Sequence, residues 1–221
     1  MYDVTLPAYW EPRNCLREPI AAIFEAARLL DMAVTAHIAD DKPTAARLIQ
    51  QADIPEIREW IESLWGSRAD NAQQPHYHRI RPLEKLVEKI PKDARPGVRM
   101  PSSNDRRRLF ELYGWNCSYC AIPLIDSRVR TKLQISYPIE LRWGPRNVDR
   151  HSAFQCMTPE IEHVVPHCYG GSSDMDNTMI ACGPCNCGKA DRLLEHHGLN
   201  DPRERVFAKS TWDGLTRLFN Q

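Results

Sequence analysis

The chain has 221 residues, enough for one large domain or two small ones, and its composition of 42% hydrophobic and 26% charged residues is typical of a soluble globular protein. No apolar run approaches the 18 residues of a membrane span, and residues 1–15 lack the basic-then-apolar pattern of a secretory signal, so we expect neither a membrane span nor a secretory signal. The formal net charge is zero, but residues 1–91, 92–150 and 151–221 carry −3, +6 and −3. The basic middle indicates either an anion-binding face, such as one for nucleic acid, or a solvated surface.

The first third of the chain predicts helices. Apolar residues recur at three- and four-residue steps from Ile20 to Val34, as on one face of a helix. A second short helix begins near Pro43, and a third begins after Asp53, the predicted cap, with Pro55 and Glu56 in its first turn. We therefore expect a mostly helical N-terminal domain.

The next stretch indicates a domain boundary. Residues 67–82 have the composition of a loop, residues 83–90 form a short amphipathic piece, and the sequence that follows is rich in proline and charge. We expect a helical domain over 1–91, a linker over 92–104 and a second domain over 105–221.

The second domain begins with a helix over 105–114, capped by Ser103 or Asn104 and ended by Gly114. Residues 128–145 mix β-branched, aromatic and basic side chains and predict a hairpin. Beyond it we expect strands over 160–165 and 178–181, then a helix from about 185 to 197 that Gly198 ends. The predicted fold class is α+β.

Two C-x-x-C pairs predict a structural zinc site. Eight cysteines in a chain without a secretory signal favour metal binding or free thiols over disulfides. Tetrahedral zinc needs four ligands, and Cys117, Cys120, Cys182 and Cys185 supply them. We expect the cysteines at 156, 168 and 187 to be spare thiols.

The residues between the two pairs carry groups suited to catalysis: Glu162-His163, His167, Gly170-Gly171 and Asp176-Asn177, with Asn186 and Lys189 just beyond the second pair. With the "CSYC", "IEHVVPHCYGG" and "DNTMIACGPCN" segments, this order resembles the HNH endonuclease family, over roughly residues 105–198. The resemblance implies a ββα-metal fold. Between the first pair and Glu162, the chain is long for a compact member of that family.

The resemblance implies a role for each residue. His163 is the general base, because a neutral imidazole accepts a proton from water near neutral pH. Glu162, on the opposite side of the strand, and Asn186 ligate a catalytic ion; as oxygen donors they favour Mg²⁺ or Mn²⁺. Asn177 holds the His163 loop through side-chain hydrogen bonds.

The implied activity is metal-dependent hydrolysis of phosphodiester bonds in a cytoplasmic protein, in a restriction, phage-defence or mobile-element setting, with double-stranded DNA as the partner. The alternatives are a zinc-stabilised nucleic-acid-binding module without catalysis, and a nuclease subunit that acts only with a protein docked on the helical domain. The predicted nucleic-acid contacts are Arg106, Arg107, Arg108, Arg128, Arg130, Lys132, Arg142, Arg146, His167 and Lys189.

Overall fold

A computed structural model describes residues 12–65, 87–206 and 210–220 as a mixture of helices and a two-stranded sheet, which confirms the α+β class. The strands are β1 (Pro159–His163) and β2 (Thr178–Cys182). The helices are α1 (Ala21–Ile38), α2 (Lys42–Gln51), α3 (Pro55–Trp65), α4 (Ser103–Tyr113), α5 (Ser127–Ser136), α6 (Ser152–Cys156), α7 (Gly183–Lys189) and α8 (Leu194–His197).

The three predicted N-terminal helices are present. Asp41 caps α2 by accepting a 3.2 Å hydrogen bond from the Thr44 backbone N–H. Asp53 does not act as the predicted cap of α3. Its carboxylate accepts a 2.7 Å hydrogen bond from the Ser152 backbone N–H and pairs with Arg142, so a long-range interaction has replaced the local one. Gly66, the predicted loop over 67–82 and the first half of the predicted amphipathic piece over 83–90, up to residue 86, lie outside the described residues.

The helices of the first third pack directly on the second half of the chain. Helix α3 contacts α6 and α7, and α1 contacts α6. A single cluster of buried hydrophobic residues takes members from both halves, including Trp60 of α3 and Phe154 of α6. At Gly188 of α7 an added Cβ would lie 2.9 Å from the Leu64 carbonyl oxygen, so the small residue permits this close packing. The boundaries at 91 and 105 remain a prediction.

The predicted hairpin over 128–145 is wrong, because residues 127–136 form helix α5. Asp126 caps this helix by accepting a 2.8 Å hydrogen bond from the Arg128 backbone N–H. Val129 and Leu133, four residues apart, are its buried side chains, which is the spacing of a helix face rather than of a strand. Of the β-branched residues in this segment, Val129 is buried on the helix face, whereas Ile135 and Ile139 are exposed.

The two predicted strands pair antiparallel, with Ile161 opposite Ile180 and His163 opposite Thr178. Helix α7 follows β2 without a loop, so the chain runs strand, strand, helix. The predicted helix over 185–197 is shorter than expected: α7 ends at Lys189, Ala190 has a φ of 52°, and α8 is a separate turn. Gly198 ends α8 in the left-handed conformation, as predicted.

Candidate functional site

The four cysteines of the two C-x-x-C pairs come together, as predicted. Cys117 and Cys120 lie in the turn after α4, Cys182 ends β2 and Cys185 lies in the first turn of α7. All four side chains are buried, and their sulfur atoms lie within 4.8 Å of one another. Four thiolates at this separation suit a tetrahedral structural zinc ion.

Burial and the neighbouring sulfur atoms both shift the pKa values of the clustered thiols. Burial alone would raise the pKa of Cys117, but hydrogen bonds from Cys120, Cys182 and Cys185 lower it well below its usual value. Burial and the interaction with the Cys117 thiolate raise the pKa of Cys182. A bound zinc ion would hold all four sulfur atoms as thiolates, because the deprotonated sulfur is the ligand.

The remaining cysteine of the CGPCNC stretch, Cys187, is exposed and is not part of the cluster. It follows Cys185 by two positions, and residues two apart do not face the same side of a helix. The expectation that Cys187 does not compete for the metal agrees with this geometry.

The three residues predicted to surround the reacting phosphate line one open cleft of about 780 Å³. Glu162 and His163 reach it from the end of β1, and Asn186 reaches it from α7, one residue after the metal-cluster ligand Cys185. His167 lines the same cleft from the loop after β1. The four-cysteine cluster therefore adjoins this part of the cleft, because Cys185 and Asn186 are neighbours in α7.

The hydrogen bonds of the His163 ring indicate its tautomer. Ser173 donates its hydroxyl proton to the Val98 carbonyl oxygen at 2.9 Å, and its oxygen lies 3.1 Å from Nε2 of His163. Because the hydroxyl proton is already used, the Ser173 oxygen must accept a hydrogen bond from Nε2–H. In the neutral ring Nδ1 is therefore the nitrogen that can accept a proton.

Burial lowers the pKa of His163 below its usual value, and the nearby positive charges of His167, Lys189 and Arg99 act in the same direction. The hydrogen bond to the Arg99 backbone opposes them. The ring is consequently neutral near pH 7, the state that a general base requires.

Glu162 already has a cationic partner. Its carboxylate is 2% exposed, and its Oε1 lies 2.6 Å from the Lys189 ammonium and accepts a 3.2 Å hydrogen bond from the Tyr119 hydroxyl. Burial raises the pKa of Glu162, and the lysine partly offsets this. Lys189 also donates to the His163 carbonyl oxygen at 3.0 Å, so one buried ammonium joins both residues of the Glu-His pair.

This position corrects the prediction for Lys189. The sequence predicts that Lys189 contacts phosphate, but in the structure its side chain is 1% exposed and it does not line the cleft. A lysine this far from solvent is stable only when an acidic group compensates its charge, and Glu162 is that group.

Asn177 forms the predicted bridge across the loop. Its Oδ1 accepts a 2.8 Å hydrogen bond from the Val165 backbone N–H, and its Nδ2 donates to the carbonyl oxygens of Val165 and Ser172 at 3.0 and 2.8 Å. An added Cβ at Gly171 would collide with the Val165 carbonyl oxygen, so the tight loop also needs this glycine. Asn177 therefore positions the chain immediately after His163 and does not itself line the cleft.

Most of the residues predicted to contact nucleic acid lie away from the cleft, and His167 is the member of that set that lines it. Several are paired with nearby acidic groups: Arg107 with Glu111, Arg108 with Asp105, Arg128 with Asp126, Arg142 with Asp53 and Arg146 with Asp149. The others contact neutral groups: Arg106 binds the Pro101 carbonyl oxygen, Arg130 lies over the Trp143 ring and Lys132 binds the Leu218 carbonyl oxygen. The structure does not bring these residues together on the wall of the cleft.

The sequence reasoning missed the cationic residues that do line the cleft. Lys92, Arg95 and Arg99 belong to the segment predicted to be a linker, and in the structure they line the cleft together with His163 and His167. We call residues 90–99 the strap. The signal was the three- and four-residue spacing of these cations, which the proline-rich composition masked.

No protein-family model, curated protein sequence or solved structure matches the chain. Among the helices of the described residues, none combines the length and the apolar character needed to cross a membrane. Function must therefore be argued from the geometry of the cleft itself.

Proposed function

We propose that the chain is an endonuclease of the HNH type that hydrolyses phosphodiester bonds of DNA. The observation that carries the proposal is that Glu162, His163 and Asn186 line one cleft beside the four-cysteine cluster, on the strand-strand-helix segment that the resemblance implies. A structural protein has no need for this combination at the edge of an open cleft.

In this proposal His163 removes a proton from the attacking water. Nδ1 of the neutral ring accepts the proton, while Nε2–H remains hydrogen-bonded to Ser173 and keeps the ring in one orientation. Lys189 and Asn177 act at a distance from the reaction by holding the His163 carbonyl oxygen and the backbone N–H of Val165.

The oxygen donors Glu162 and Asn186 suit a hard divalent cation such as Mg²⁺ or Mn²⁺. Lys189 and Tyr119 both contact Oε1 of Glu162, which leaves Oε2 as the oxygen that would face a cation in the cleft. When bound, such a cation would supply Lewis-acid stabilisation of the phosphate oxygens and of the leaving oxygen.

The test is cleavage of supercoiled plasmid by zinc-loaded protein with no added divalent cation, with Mg²⁺ and with Mn²⁺. We expect cleavage that requires the added cation and that His163→Ala abolishes without changing the thermal melt. His37→Ala is the matched control, because His37 is hydrogen-bonded to Tyr137 and does not line the cleft. Undiminished cleavage by His163→Ala would exclude the assigned base.

A second candidate function is a zinc-stabilised DNA-binding module without catalysis. The Lys189–Glu162 ion pair favours it, since an ammonium 2.6 Å from the carboxylate already neutralises the charge that would attract a divalent cation. Binding of duplex DNA by wild-type protein that fails to cut plasmid under all three metal conditions would support this candidate over the nuclease.

A third candidate is a nuclease subunit that needs a protein partner on its helical segment. Helix α1 exposes Phe24 (47%), Met32 (43%) and Ile38 (39%), and large apolar side chains in solvent are typical of docking surfaces. Cleavage by the isolated wild-type chain would make such a partner unnecessary. In each case we place the protein in the cytoplasm, in a restriction, phage-defence or mobile-element setting.

A further inference from the structure

The strap forms one wall of the cleft and carries its unpaired positive charge. We propose that Lys92, Arg95 and Arg99 bind consecutive phosphates of a DNA backbone and hold the strand against His163. The inference deepens the proposed function, since it concerns the same cleft, but it concerns binding and requires no cleavage.

Hydrogen bonds fix the strap to the loop that follows β1. The Ile90 backbone N–H donates to the Cys168 carbonyl oxygen at 2.8 Å, and Nε2 of His167 donates to the Pro96 carbonyl oxygen at 2.7 Å. The Ser173 hydroxyl donates to the Val98 carbonyl oxygen at 2.9 Å. These contacts lie near both ends and the middle of the strap, so its backbone is held in place along its length.

Packing of the first strap residue strengthens this attachment. A Cβ added at Gly170 would lie only 2.8 Å from Cδ1 of Ile90, so the glycine leaves room for the isoleucine. Gly170 also has a φ of +84°, which favours glycine at this turn. Arg95 donates from Nε to the Ile90 carbonyl oxygen at 2.8 Å. That bond uses one of its five N–H donors, and the others remain for a ligand.

The charges of the cleft are not balanced by its own acidic groups. Two carboxylates line it, and each has its own lysine: Glu162 pairs with Lys189, and Asp191 pairs with Lys89. In the described part of the chain, the three strap cations form no ion pair with an acidic side chain. Their charge is therefore available to an external anion.

Three cations at separate positions along one anchored segment suit a repeating anion better than a small one. Lys92, Arg95 and Arg99 extend from separate positions along an anchored segment, and Lys92 and Arg99 are exposed to solvent. A backbone with one phosphate per nucleotide can satisfy all three side chains and release condensed counterions as it binds. The sequence-predicted arginines such as Arg128 and Arg146 must first separate from their aspartate partners.

The experiment measures the salt dependence of DNA binding by fluorescence anisotropy, with a labelled 20-base-pair duplex and the matching single strand as probes. All proteins carry His163→Ala, so that cleavage cannot alter the probe. The test variant is Lys92→Gln/Arg99→Gln. The matched control, Arg128→Gln/Arg146→Gln, removes the same charge from side chains that are already paired with acidic groups.

We expect the test variant to bind duplex more weakly. The magnitude of its slope of log K against log salt should be smaller by about 1.8, because each of the two lost phosphate contacts accounts for about 0.9. The ratio of the reference affinity to the variant affinity should therefore grow roughly tenfold when the salt concentration falls from 200 to 50 mM. The control should match the reference. Equal losses in both variants, an unchanged slope in the test variant, or no binding by the reference protein would each overturn the proposal.

The outcomes separate this inference from the nuclease proposal. Strap-dependent binding together with an uncut plasmid would leave the strap assignment standing and remove the nuclease. Metal-dependent cutting together with binding that the strap substitutions do not weaken would support the nuclease and overturn the strap assignment.

Discussion

The buried Lys189–Glu162 ion pair gives the sharpest test of how the site is built. Lys189→Met keeps the side-chain length but removes the ammonium, which leaves Glu162, at 2% exposure, without its 2.6 Å partner. Breaking one partner of a buried pair typically costs about 3–5 kcal/mol, because the remaining charge stays desolvated. The variant also removes the 3.0 Å hydrogen bond to the His163 carbonyl oxygen.

The matched control is Lys89→Met, the same chemical change in a pair with Asp191 whose side chains are 41% and 56% exposed. Solvent screens this pair, so its loss should cost about 0–1 kcal/mol. The assay is urea unfolding of zinc-loaded protein, with the free energy of unfolding compared at equal m values.

A double-mutant cycle with Glu162→Gln isolates the interaction itself. We expect Lys189→Met/Glu162→Gln to cost less than the sum of the single changes by about 2–3 kcal/mol, since the double variant leaves no buried charge unpaired. Additive losses, or a Lys189→Met cost no larger than that of Lys89→Met, would refute the view that this ion pair supports the core of the site.

The remaining predictions concern the metal cluster, the loop and a buried histidine. Purified protein should contain about one zinc ion per chain, and Cys182→Ser should lower both the zinc content and the melting temperature while the exposed Cys187→Ser does neither; full zinc content in Cys182→Ser would contradict the four-thiolate assignment. Asn177→Ala removes three side-chain hydrogen bonds and should lower the free energy of unfolding in urea by about 2–3 kcal/mol. A decrease below about 0.5 kcal/mol would show that the loop does not depend on Asn177. Burial lowers the pKa of His197 to about 4, so the folded state binds a proton there only at a lower pH than the unfolded state does. The stability that this gives above about pH 6.5 is therefore lost as the pH falls towards 4. His197→Gln should therefore reduce the loss of stability between pH 8 and 5 by about 2 kcal/mol, and identical pH profiles for the two proteins would disprove this.

Local patterns predicted those parts of the molecule in which neighbours along the chain decide the structure. The apolar spacing of residues 20–34 matches the buried face of α1, and Gly114 and Gly198 end their helices with positive φ, as expected. The paired C-x-x-C spacing identified the four clustered cysteines, because thiols brought together by two tight turns can share one metal ion.

Long-range contacts decided the features that the sequence analysis missed. Asp53 is a good local cap, but the backbone of Ser152 and the side chain of Arg142 offer it stronger partners. Residues 128–145 have strand-forming side chains, yet a capping aspartate and the i, i+4 spacing of Val129 and Leu133 place them on helix α5 and the turns after it. At Asp53 a local preference of about 1 kcal/mol was outweighed by tertiary contacts. In α5 the packing of Val129 and Leu133 into the hydrophobic core decided between a local helix signal and a local strand signal.

The sequence by itself determined which chemical groups the chain possesses and how they are spaced along it: four thiols in two pairs, an acidic-histidine dipeptide on a strand, and an asparagine beside the last thiol. Only the tertiary structure decided which charges meet. It buried Lys189 against Glu162 and placed the predicted linker along the cleft, where Lys92 and Arg99 form no ion pair with any residue that the structure describes. The physical reason is that hydrogen bonds and turn preferences act over a few residues, whereas the energy of a charge depends on its burial and on partners that can lie anywhere along the chain.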